Sequence, residues 1–413
     1  MLGKKTRCFP GETVENICAC CYNGRVFLFW RFPLKSRLSC CYKLLRPIVI
    51  LLLKCVFGYT YTRADNLPAN YIVLSNHATD FDPLLVGASF RQPMYFVASE
   101  HIARWPVVGK LITWLLQPIY RNKGASAAST VMEILRHTRK GHNVCMFAEG
   151  TRTWDGVTCP ILPSTAKMVK SAGCGLVTYK LIGGYFTSPR WGGASIRRGM
   201  LHGAPVRVYT PETLQTMSNE ELHAAITRDL YEDAYARQLA SPKRYRSRKR
   251  AMFMERLLFI CPQCGSRDTI RSAADTVSCT HCGIHFRYTP YGMLEGIPYS
   301  TVKELSDWQK AQVLQDIENG TPYTAPNATL TTLRNHEEAL EAQGAVTMTS
   351  EFLCCGDFRV ALEDIVDLNI HGQKAIVFTA HRTYYELRPA EGINALKFHL
   401  YYHGCKEKRA ARV

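Results

Sequence analysis

Short apolar runs rich in β-branched and aromatic residues alternate with helical patterns between residue 70 and about residue 210. The apolar runs lie at 71–74, 95–97, 144–147, 176–181 and 206–209, and the helical patterns include 83–90 and 126–139. Strands that alternate with helices in this way are typical of a largely buried sheet covered by helices. The pattern therefore predicts an α/β domain, which we place at residues 67–240.

The end of this domain carries a helix-start signal, and four further segments follow it. Residues 218–221, Ser-Asn-Glu-Glu, form a capping box ahead of Leu222, Ile226 and Leu230. We expect a basic linker at 241–260, a cysteine module at 261–290, a helical connector at 291–345 and a β-rich domain at 346–413. The connector contains a predicted helix over 301–319 that stops at Gly320. The last domain, with several strands and a closing helix at 395–402, weakly resembles a pleckstrin-homology-like module.

Residues 1–66 show a different pattern, in which basic residues are interleaved with large aromatic ones. The apolar run at 48–57 is about ten residues long, whereas a membrane-spanning helix needs ~20. We expect this segment to contact the acidic cytosolic leaflet without crossing it, because each Lys or Arg near acidic lipid adds ~1 kcal/mol of binding. A buried helix that leads into the core is the alternative. The basic, polar start has no apolar core behind it, so we expect no secretory signal.

The first candidate for chemistry follows the 71–74 strand, where residues 75–83 read Ser-Asn-His-Ala-Thr-Asp-Phe-Asp-Pro. Functional groups in α/β folds gather at the carboxyl ends of strands, and His77 has this position. Asp82 followed by Pro83 is also a helix-start pattern with Asp as the N-cap. A carboxylate has about four lone-pair sites, so Asp82 can accept both a helix amide and an imidazole N–H. The pattern predicts a histidine base oriented by a carboxylate, although the spacing alone also arises by chance.

The second candidate is the run Phe-Ala-Glu-Gly-Thr-Arg at 147–152, at the end of another predicted strand. The amides of Gly150 and Thr151 can meet an oxyanion, and the planar guanidinium of Arg152 suits a phosphate. A carboxylate repels phosphate, so we assign Glu149 to orienting Arg152 or to hydrogen-bonding an acceptor hydroxyl. A plain salt bridge between Glu149 and Arg152 is the alternative.

With a further basic block at 119–124 that contains Arg121 and Lys123, these runs resemble the 1-acylglycerol-3-phosphate (lysophosphatidic acid) acyltransferase family. That family has Asn-His with four residues before Asp, then an Arg-containing block, then Phe-Pro-Glu-Gly-Thr-Arg. The resemblance covers residues 45–210, about 40% of the chain. It implies a glycerolphosphate-acyltransferase-like sheet covered by helices, and acyl transfer from a thioester donor, acyl-CoA or acyl carrier protein.

The resemblance also implies a role for each matching residue. His77, oriented by Asp82, is the expected general base towards a lysophospholipid hydroxyl. The segment of Glu149, Gly150 and Thr151 is expected to hold the oxyanion and the acceptor, and the acceptor phosphate is expected to bind the basic side chains of Arg121, Lys123 and Arg152.

The chain departs from the family pattern in two places. Ala148 replaces the usual Pro, and residues 176–185 stand where an apolar block with Pro is expected. Lys180 and Arg190 can extend the anionic pocket there, but an exposed strand edge explains them as well. The identity of the acceptor depends on this region.

Composition adds a third candidate site. The chain has 413 residues, 17 cysteines and a net charge of +17, with 46% hydrophobic and 21% charged residues. These values exclude a single small module, long disorder and a bundle of membrane spans, and they favour anionic partners. An odd cysteine count in a long chain indicates a reducing cytosol, with metal binding where the spacing permits. Two CxxC knuckles fourteen residues apart, each followed by Gly, predict a zinc ribbon with the ligands Cys261, Cys264, Cys279 and Cys282.

Four thiolates fill a tetrahedral shell, so we expect a structural Zn²⁺; a redox CxxC or plain buried cysteines are the alternatives. The ribbon and the basic run at 241–250 also fit a nucleic-acid-binding protein, but that reading leaves His77, Arg121 and Glu149 unexplained, so we expect no nucleic-acid partner. A catalytically silent lipid-binding relative is a further alternative, against which the presence of both His77 and Asp82 argues. The expected function is phospholipid biosynthesis at the cytoplasmic face of the cell membrane, by a peripheral or monotopic enzyme.

Overall fold

The computed structural model describes residues 17–22, 25–30, 34–99, 113, 116–121, 127–193, 195–334, 337–390 and 394–411. The described chain begins with an antiparallel pair of strands, β1 (Ile17–Tyr22) and β2 (Arg25–Trp30), and the long helix α1 (Leu34–Phe57). The predicted basic start of the N-terminal segment and Lys123 lie outside the described residues.

The central α/β domain contains one seven-stranded sheet and the helices that cover it. Its strands are β3 (Tyr59–Tyr61), β4 (Tyr71–Ser75), β5 (Met94–Ser99), β6 (Ile119–Arg121), β7 (Asn143–Phe147), β8 (Gly175–Ile182) and β9 (Leu201–Tyr209). Its helices are α2 (Asp82–Ser89), α3 (Ala127–Arg139), α4 (Ser164–Ala172), α5 (Gly184–Thr187), α6 (Pro211–Thr216), α7 (Asn219–Leu230) and α8 (Ala234–Ala240). The predicted strands and the predicted capping box at Ser218 are confirmed.

The order of the strands decides which loops meet. The sheet runs β3-β9-β8-β4-β7-β5-β6, and β8, β4, β7, β5 and β6 are parallel to one another. The residues of β4 are all buried, which is typical of a strand covered by helices on both faces. Because parallel strands end at the same edge, the loops after β4, β7 and β8 and the last residue of β6 lie together there.

Helix α1 has one buried and one exposed apolar face. Leu53 and Phe57 are buried in the core cluster that also contains residues of α2. The opposite face carries exposed apolar side chains at Leu44, Ile48, Leu51, Leu52 and Val56. The run at 48–57 therefore contributes to the core on one side only. Among the described residues, no helix has the length and apolar character needed to cross a membrane.

The cysteine module contains a four-stranded antiparallel sheet. Its strands are β10 (Ile270–Ala273), β11 (Thr276–Cys279), β12 (His285–Tyr288) and β13 (Leu294–Glu295). The predicted linker before it is packed rather than fully exposed, since Tyr245, Met254 and Leu257 are buried. Large apolar side chains explain this, because Tyr245 within the basic run and Met254 and Leu257 after it can enter the core.

The C-terminal part consists of the helix α9 (Val302–Glu318), a second seven-stranded sheet and the helix α10 (Ala395–Ala410). The strands are β14 (Tyr323–Arg334), β15 (Glu337–Met348), β16 (Phe352–Cys355), β17 (Phe358–Ala361), β18 (Ile365–His371), β19 (Ala375–Ala380) and β20 (Thr383–Pro389). They pair antiparallel in the order β17-β16-β15-β14-β20-β19-β18. The predicted boundary at 345/346 therefore falls within β15, because β14 and β15 form a hairpin and belong to the same sheet.

One hydrophobic cluster joins all three parts of the chain. It contains Tyr185, Phe186 and Trp191 from the central domain, Cys261 and Phe286 from the cysteine module, and, from the C-terminal part, Val302, Leu305, Ile370 and Leu396. Shared burial of this kind couples the positions of the three parts, because separating them would expose apolar surface.

Candidate active site

The side chains of His77 and Asp82 form a hydrogen-bonded pair at the carboxyl end of β4. Nδ1 of His77 lies 2.8 Å from Oδ2 of Asp82. A carboxylate only accepts hydrogen bonds, so Nδ1 is the donor and Nε2 carries the free lone pair of a neutral imidazole. The His77 side chain is 21% exposed, whereas that of Asp82 is fully buried. The pair therefore offers an oriented base that solvent can reach.

Asp82 also determines the shape of the loop that carries the histidine. Its Oδ2 accepts hydrogen bonds from the amides of Ala78 and Thr79 at 2.8 and 2.9 Å, and its Oδ1 accepts one from the Thr79 hydroxyl at 2.6 Å. The prediction that Asp82 is the N-cap is wrong: the N-cap is Phe81, and Asp82 is the first helical residue. The Asp82 carboxylate accepts hydrogen bonds from the preceding loop, because the loop amides and the imidazole lie on that side of the helix start.

Two neighbours fix the remaining orientation of this segment. The His77 ring stacks on Phe147 with 4.4 Å between ring centroids and an interplanar angle of 21°. The side-chain Nδ2 of Asn76 donates to the carbonyl of Leu181 at 2.9 Å, and its Oδ1 accepts from the backbone amide of Leu181 at 2.7 Å. Asn76 thus ties the end of β4 to β8. We did not single it out from the sequence, although its position next to His77 was a usable signal.

Glu149 connects the two predicted motifs. Its Oε1 accepts a hydrogen bond from the backbone amide of His77, and its Oε2 accepts one from the amide of Cys159, both at 2.6 Å. Burial raises the pKa of this carboxyl to about 7, against the lowering effect of these hydrogen bonds. The predicted pairing with Arg152 is not what the structure shows: both oxygens of Glu149 bind loop amides, and Arg152 turns elsewhere.

Arg152 and Asp80 form an ion pair that the sequence did not indicate. The Nε atom of Arg152 lies 3.3 Å from Oδ1 of Asp80, whose side chain is 68% exposed while that of Arg152 is 9% exposed. Burial lowers the pKa of the Arg152 guanidinium, and the nearby carboxylates of Asp80 and Asp82 oppose that shift. A phosphate bound at Arg152 would therefore compete with the Asp80 carboxylate for the positive charge of the guanidinium.

Gly150 and Arg121 lie next to each other although they are 29 positions apart in sequence. A Cβ atom placed on Gly150 would lie 3.4 Å from Nη1 of Arg121, and Gly150 has a φ of +67°, which favours glycine. The Gly150 amide donates to the carbonyl of Phe147 at 3.1 Å, so it closes a turn and is not free for an oxyanion as predicted. The Arg121 guanidinium is exposed at this point.

The hydroxyl of Thr151 is also occupied, because it accepts a hydrogen bond from Nη1 of Arg190 at 2.7 Å. Arg190 is buried and directs its guanidinium at the loop rather than into an open anionic pocket. Lys180 is half-buried on β8, and the carboxylate that most favours its charge is Glu232. Neither side chain lies on an exposed strand edge.

A small pocket opens beside His77 at the sheet edge. It is lined by residues of the loops after β4, β7 and β8, among them His77, Glu149, Gly183, Gly184, Tyr185 and Glu232. His77 thus lines a concave surface, as an acid–base residue requires.

Residues 58–181 match the family model described as Acyltransferase. This stretch contains His77, Asp82, Arg121 and the motif loop, which we define as residues 149–157. The matched stretch lies within the central α/β domain. We therefore call the central α/β domain the acyltransferase domain.

Similarity to individual proteins points to the same family. The 1-acyl-sn-glycerol-3-phosphate acyltransferase of Borreliella burgdorferi is 27% identical over 124 residues, which are 29% of this chain and 49% of that protein. The chain thus spans about half the length of this curated relative. Together with the family match, this similarity confirms the resemblance that the three sequence blocks indicate.

Two solved structures also show similarity. The 1-acyl-sn-glycerophosphate (LPA) acyltransferase PlsC from Thermotoga maritima covers 48% of this chain and 80% of its own, with 18% identity and a TM-score of 0.41. The C-terminal domain of an unknown protein from Leishmania infantum covers 23% of this chain and 96% of its own, with 14% identity and a TM-score of 0.15.

The four predicted metal ligands lie together outside the acyltransferase domain. The Sγ atoms of Cys261, Cys264, Cys279 and Cys282 are all within 4.8 Å of one another. Two of these separations are 3.7 and 3.9 Å, and a tetrahedron with Zn–S bonds of ~2.3 Å has edges of ~3.8 Å. Gly265 and Gly283 have φ values of +70° and +77°, which let each knuckle turn. The cluster therefore has the donor set and spacing of a four-thiolate zinc site.

Proposed function

We propose that this protein is an O-acyltransferase that moves a fatty acyl group from an acyl thioester to a hydroxyl of 1-acylglycerol-3-phosphate or a related lysophospholipid. The observation that carries the proposal is the 2.8 Å hydrogen bond between His77 Nδ1 and the buried carboxylate of Asp82, which leaves Nε2 as a base beside a pocket. The similarity to acyltransferases gives that base its substrate class.

The chemistry begins with proton transfer. Nε2 of His77 takes the proton of the acceptor hydroxyl as its oxygen attacks the thioester carbonyl, and Asp82 stabilises the imidazolium that forms. The tetrahedral intermediate collapses, its C–S bond breaks, and His77 returns the proton to the departing thiolate. Such positioned base catalysis contributes ~10²–10⁴-fold in rate.

We assign stabilisation of the negative charges of the oxyanion and the acceptor phosphate to the residues around Gly150. Since the Gly150 amide closes a turn, we assign the oxyanion to the amide of Thr151 and to the nearby guanidinium of Arg121. We assign the acceptor phosphate to Arg121 and Arg152, together with Lys123, which the resemblance includes. Arg121 is the principal ligand in this proposal, because it is exposed whereas Arg152 is buried beside Asp80.

Access to lipid comes from helix α1. The helix ends beside the site, since the ring of its last residue, Phe57, lies 4.8 Å from that of Phe81 in the loop before α2. Directly after the helix, Gly58 approaches Arg198, whose backbone pairs with that of Arg246 in the basic run. An apolar face bordered by exposed arginines suits an acidic lipid surface. We therefore propose peripheral or monotopic binding at the cytoplasmic face of the membrane.

The cysteine cluster completes the proposal. We infer that its four thiolates bind one Zn²⁺ with a structural role, because a closed four-sulfur shell has no position for a reacting water. Cys261 and Cys279 are buried in the cluster that also contains Tyr185 and Trp191 of the acyltransferase domain. Metal binding would thus stabilise the packing between the two parts.

The proposed activity is tested with purified full-length protein and labelled acyl thioester, supplied in parallel as acyl-CoA and as acyl carrier protein. Each donor is combined with a panel of lysophospholipids that includes 1-acylglycerol-3-phosphate, and the lipid products are separated. The expected result is a diacyl product from an acceptor with a phosphate, dependent on His77. Absence of any acylated lipid with both donors would contradict the proposal.

A further inference from the structure

The motif loop is contacted by side chains from later parts of the chain, and Arg190 is the first of them. This arginine lies in a single helical turn, Arg190–Gly192, that follows β8 and α5. Its Nη1 donates to the hydroxyl of Thr151 at 2.7 Å and to the carbonyl of Arg152 at 2.9 Å. Its Nη2 donates to the carbonyl of Ile370 at 3.3 Å. One guanidinium thus bonds both to the motif loop and to strand β18 of the C-terminal sheet.

The environment of Arg190 shows that this position is specific. The residue is 6% exposed, and its guanidinium carbon lies 4.4 Å from the centre of the Trp154 ring, also in the motif loop. Burial and the neighbouring charge of Arg152 lower its pKa to about 9. Within the described part of the chain, its hydrogen-bond acceptors are one hydroxyl and two backbone carbonyls rather than a carboxylate. A buried cation without an ionic partner is costly, so these dipoles and the aromatic face determine where it lies.

A second contact reaches the same loop from the helix α9. Nζ of Lys310 lies 2.7 Å from Oδ2 of Asp155. Oδ1 of Asp155 accepts hydrogen bonds at 3.3 Å from the hydroxyl of Thr153 and from the amide of Val157. The ion pair therefore fixes a carboxylate that itself shapes the turn after Arg152.

The elements that carry these two contacts share one apolar cluster. Ile370 of β18 and Leu396 of α10 are buried in the same cluster as Tyr185 and Trp191, which flank Arg190 in sequence. Arg190 and Lys310 thus contact the motif loop from surfaces whose own positions are fixed by shared apolar burial.

We propose that the C-terminal part, acting through Arg190 and Lys310, positions the motif loop for the acceptor phosphate. Both side chains are positioning residues: Arg190 fixes the carbonyl of Arg152 and the hydroxyl of Thr151, and Lys310 fixes Asp155. The inference rests on the proposed acyltransferase function. It predicts that the acyltransferase domain, whose last helix ends at Ala240, depends on a part of the chain that begins at Val302.

The test uses full-length Arg190→Met and Lys310→Met proteins and measures the KM of each substrate separately. Loss of positioning should raise the KM for the phosphate-bearing acceptor roughly tenfold in Arg190→Met and several-fold in Lys310→Met, because small displacements of binding groups have large effects. The KM for the acyl thioester should change less than twofold. Lys310→Arg, which keeps the ion pair with Asp155, should restore the wild-type acceptor KM.

Hydrogen exchange of the same proteins gives a readout independent of turnover. Amides of residues 151–157 should exchange faster in Lys310→Met, while those of β8 should keep wild-type protection. Lys408→Met is the matched control, because Lys408 pairs with Glu318 at 3.0 Å within the C-terminal part. It should change neither the acceptor KM nor exchange in the loop.

The outcomes separate this inference from the proposed function. If the wild-type protein acylates no lipid, the proposed function fails, and with it the KM test. If the wild type is active but both variants keep the acceptor KM and the loop exchange of the wild type, only the positioning role is overturned. Should Arg190→Met fail to fold, Lys310→Met decides the question, because the side chain of Lys310 is 43% exposed and its loss leaves no buried gap.

Discussion

Nδ1 of His77 lies 2.8 Å from Oδ2 of Asp82, and the same oxygen accepts hydrogen bonds from the amides of Ala78 and Thr79. One buried carboxylate atom thus organises both the imidazole and the loop that carries it. Because Asp82 is fully buried, the bond is protected from competition by water. The ring tautomer that a general base needs is therefore built into the loop itself.

Replacement of the histidine should remove the chemistry and leave the fold. We expect His77→Ala to lose at least the ~10²–10⁴-fold that base catalysis contributes, because no other group replaces Nε2. Since the side chain is partly exposed, the melting temperature should change little. The measurement is kcat with saturating donor and acceptor, with His285→Ala, an exposed histidine of the cysteine module, as control. Near wild-type turnover in purified His77→Ala protein would eliminate this mechanism.

Arg121→Ala should weaken binding of the acceptor phosphate. A hydrogen bond to a charged group is worth ~1.5–3 kcal/mol, so the acceptor KM should rise roughly 10- to 100-fold. The KM for the thioester donor should stay within about twofold, and kcat should also fall, because the same arginine is assigned to the oxyanion. Steady-state kinetics with each substrate varied in turn distinguish these effects. Arg139→Ala, an exposed arginine at the end of α3, is the control, and equal KM values in both variants would argue against the assignment.

The buried carboxyl of Glu149 should make stability depend on pH. Burial raises its folded-state pKa to about 7, above the ordinary value of 4.5, so the folded protein keeps a proton that the unfolded chain releases. Between about pH 4.5 and 7 this group therefore lowers the free energy of unfolding as pH rises, by at most ~1.4 kcal/mol per pH unit. Above pH 7 its contribution is constant.

Glu149→Gln cannot ionise, so it should lack this contribution. Its stability relative to the wild type should improve between pH 5 and pH 8, although it loses one acceptor for the amides of His77 and Cys159. Urea unfolding of both proteins at pH 5, 6, 7 and 8 measures the difference. A difference that does not vary with pH would show that Glu149 titrates at its ordinary value.

The cysteine cluster should contain one zinc ion per chain. Cys261→Ser removes a buried thiolate from the four-sulfur shell, so the bound metal measured by elemental analysis should fall well below one equivalent, and the melting temperature should fall with it. Cys40→Ser, at an exposed cysteine of α1, should keep both values. Equal metal content in the two variants would rule out the proposed ligand set.

The exposed face of α1 should determine binding to lipid. Leu51 is 61% exposed, and its insertion into a bilayer would contribute ~1.5–3 kcal/mol, so Leu51→Glu should weaken binding to vesicles roughly tenfold or more. Flotation with vesicles that contain acidic lipid measures this, and the bound fraction should fall as salt rises. Leu340→Glu, at a position 66% exposed on β15, is the control. Equal flotation of both variants would assign membrane binding to another surface.

The sequence predicted the His77–Asp82 pair because both residues belong to one short loop. Its geometry depends on the six successive residues 77–82, and the strand before them and the helix that begins at Asp82 carry strong local signals. The knuckles of the cysteine cluster are local for the same reason, since each turn has its own glycine. The function of Glu149 could not be predicted in this way, because its partners, the amides of His77 and Cys159, lie 72 and 10 residues away.

The amino-acid sequence by itself determined the α/β pattern, the pairing of His77 with Asp82, the grouping of four cysteines and the resemblance to a family, because these depend on periodicity and on spacing within a few residues. Only the tertiary structure decided that Arg121 reaches Gly150, that Arg152 pairs with Asp80, and that Arg190 joins the motif loop to Ile370. Such contacts depend on the order of strands and on burial of apolar surface shared between distant segments. No local pattern encodes them, because the free energy that selects them belongs to the packed chain as a whole.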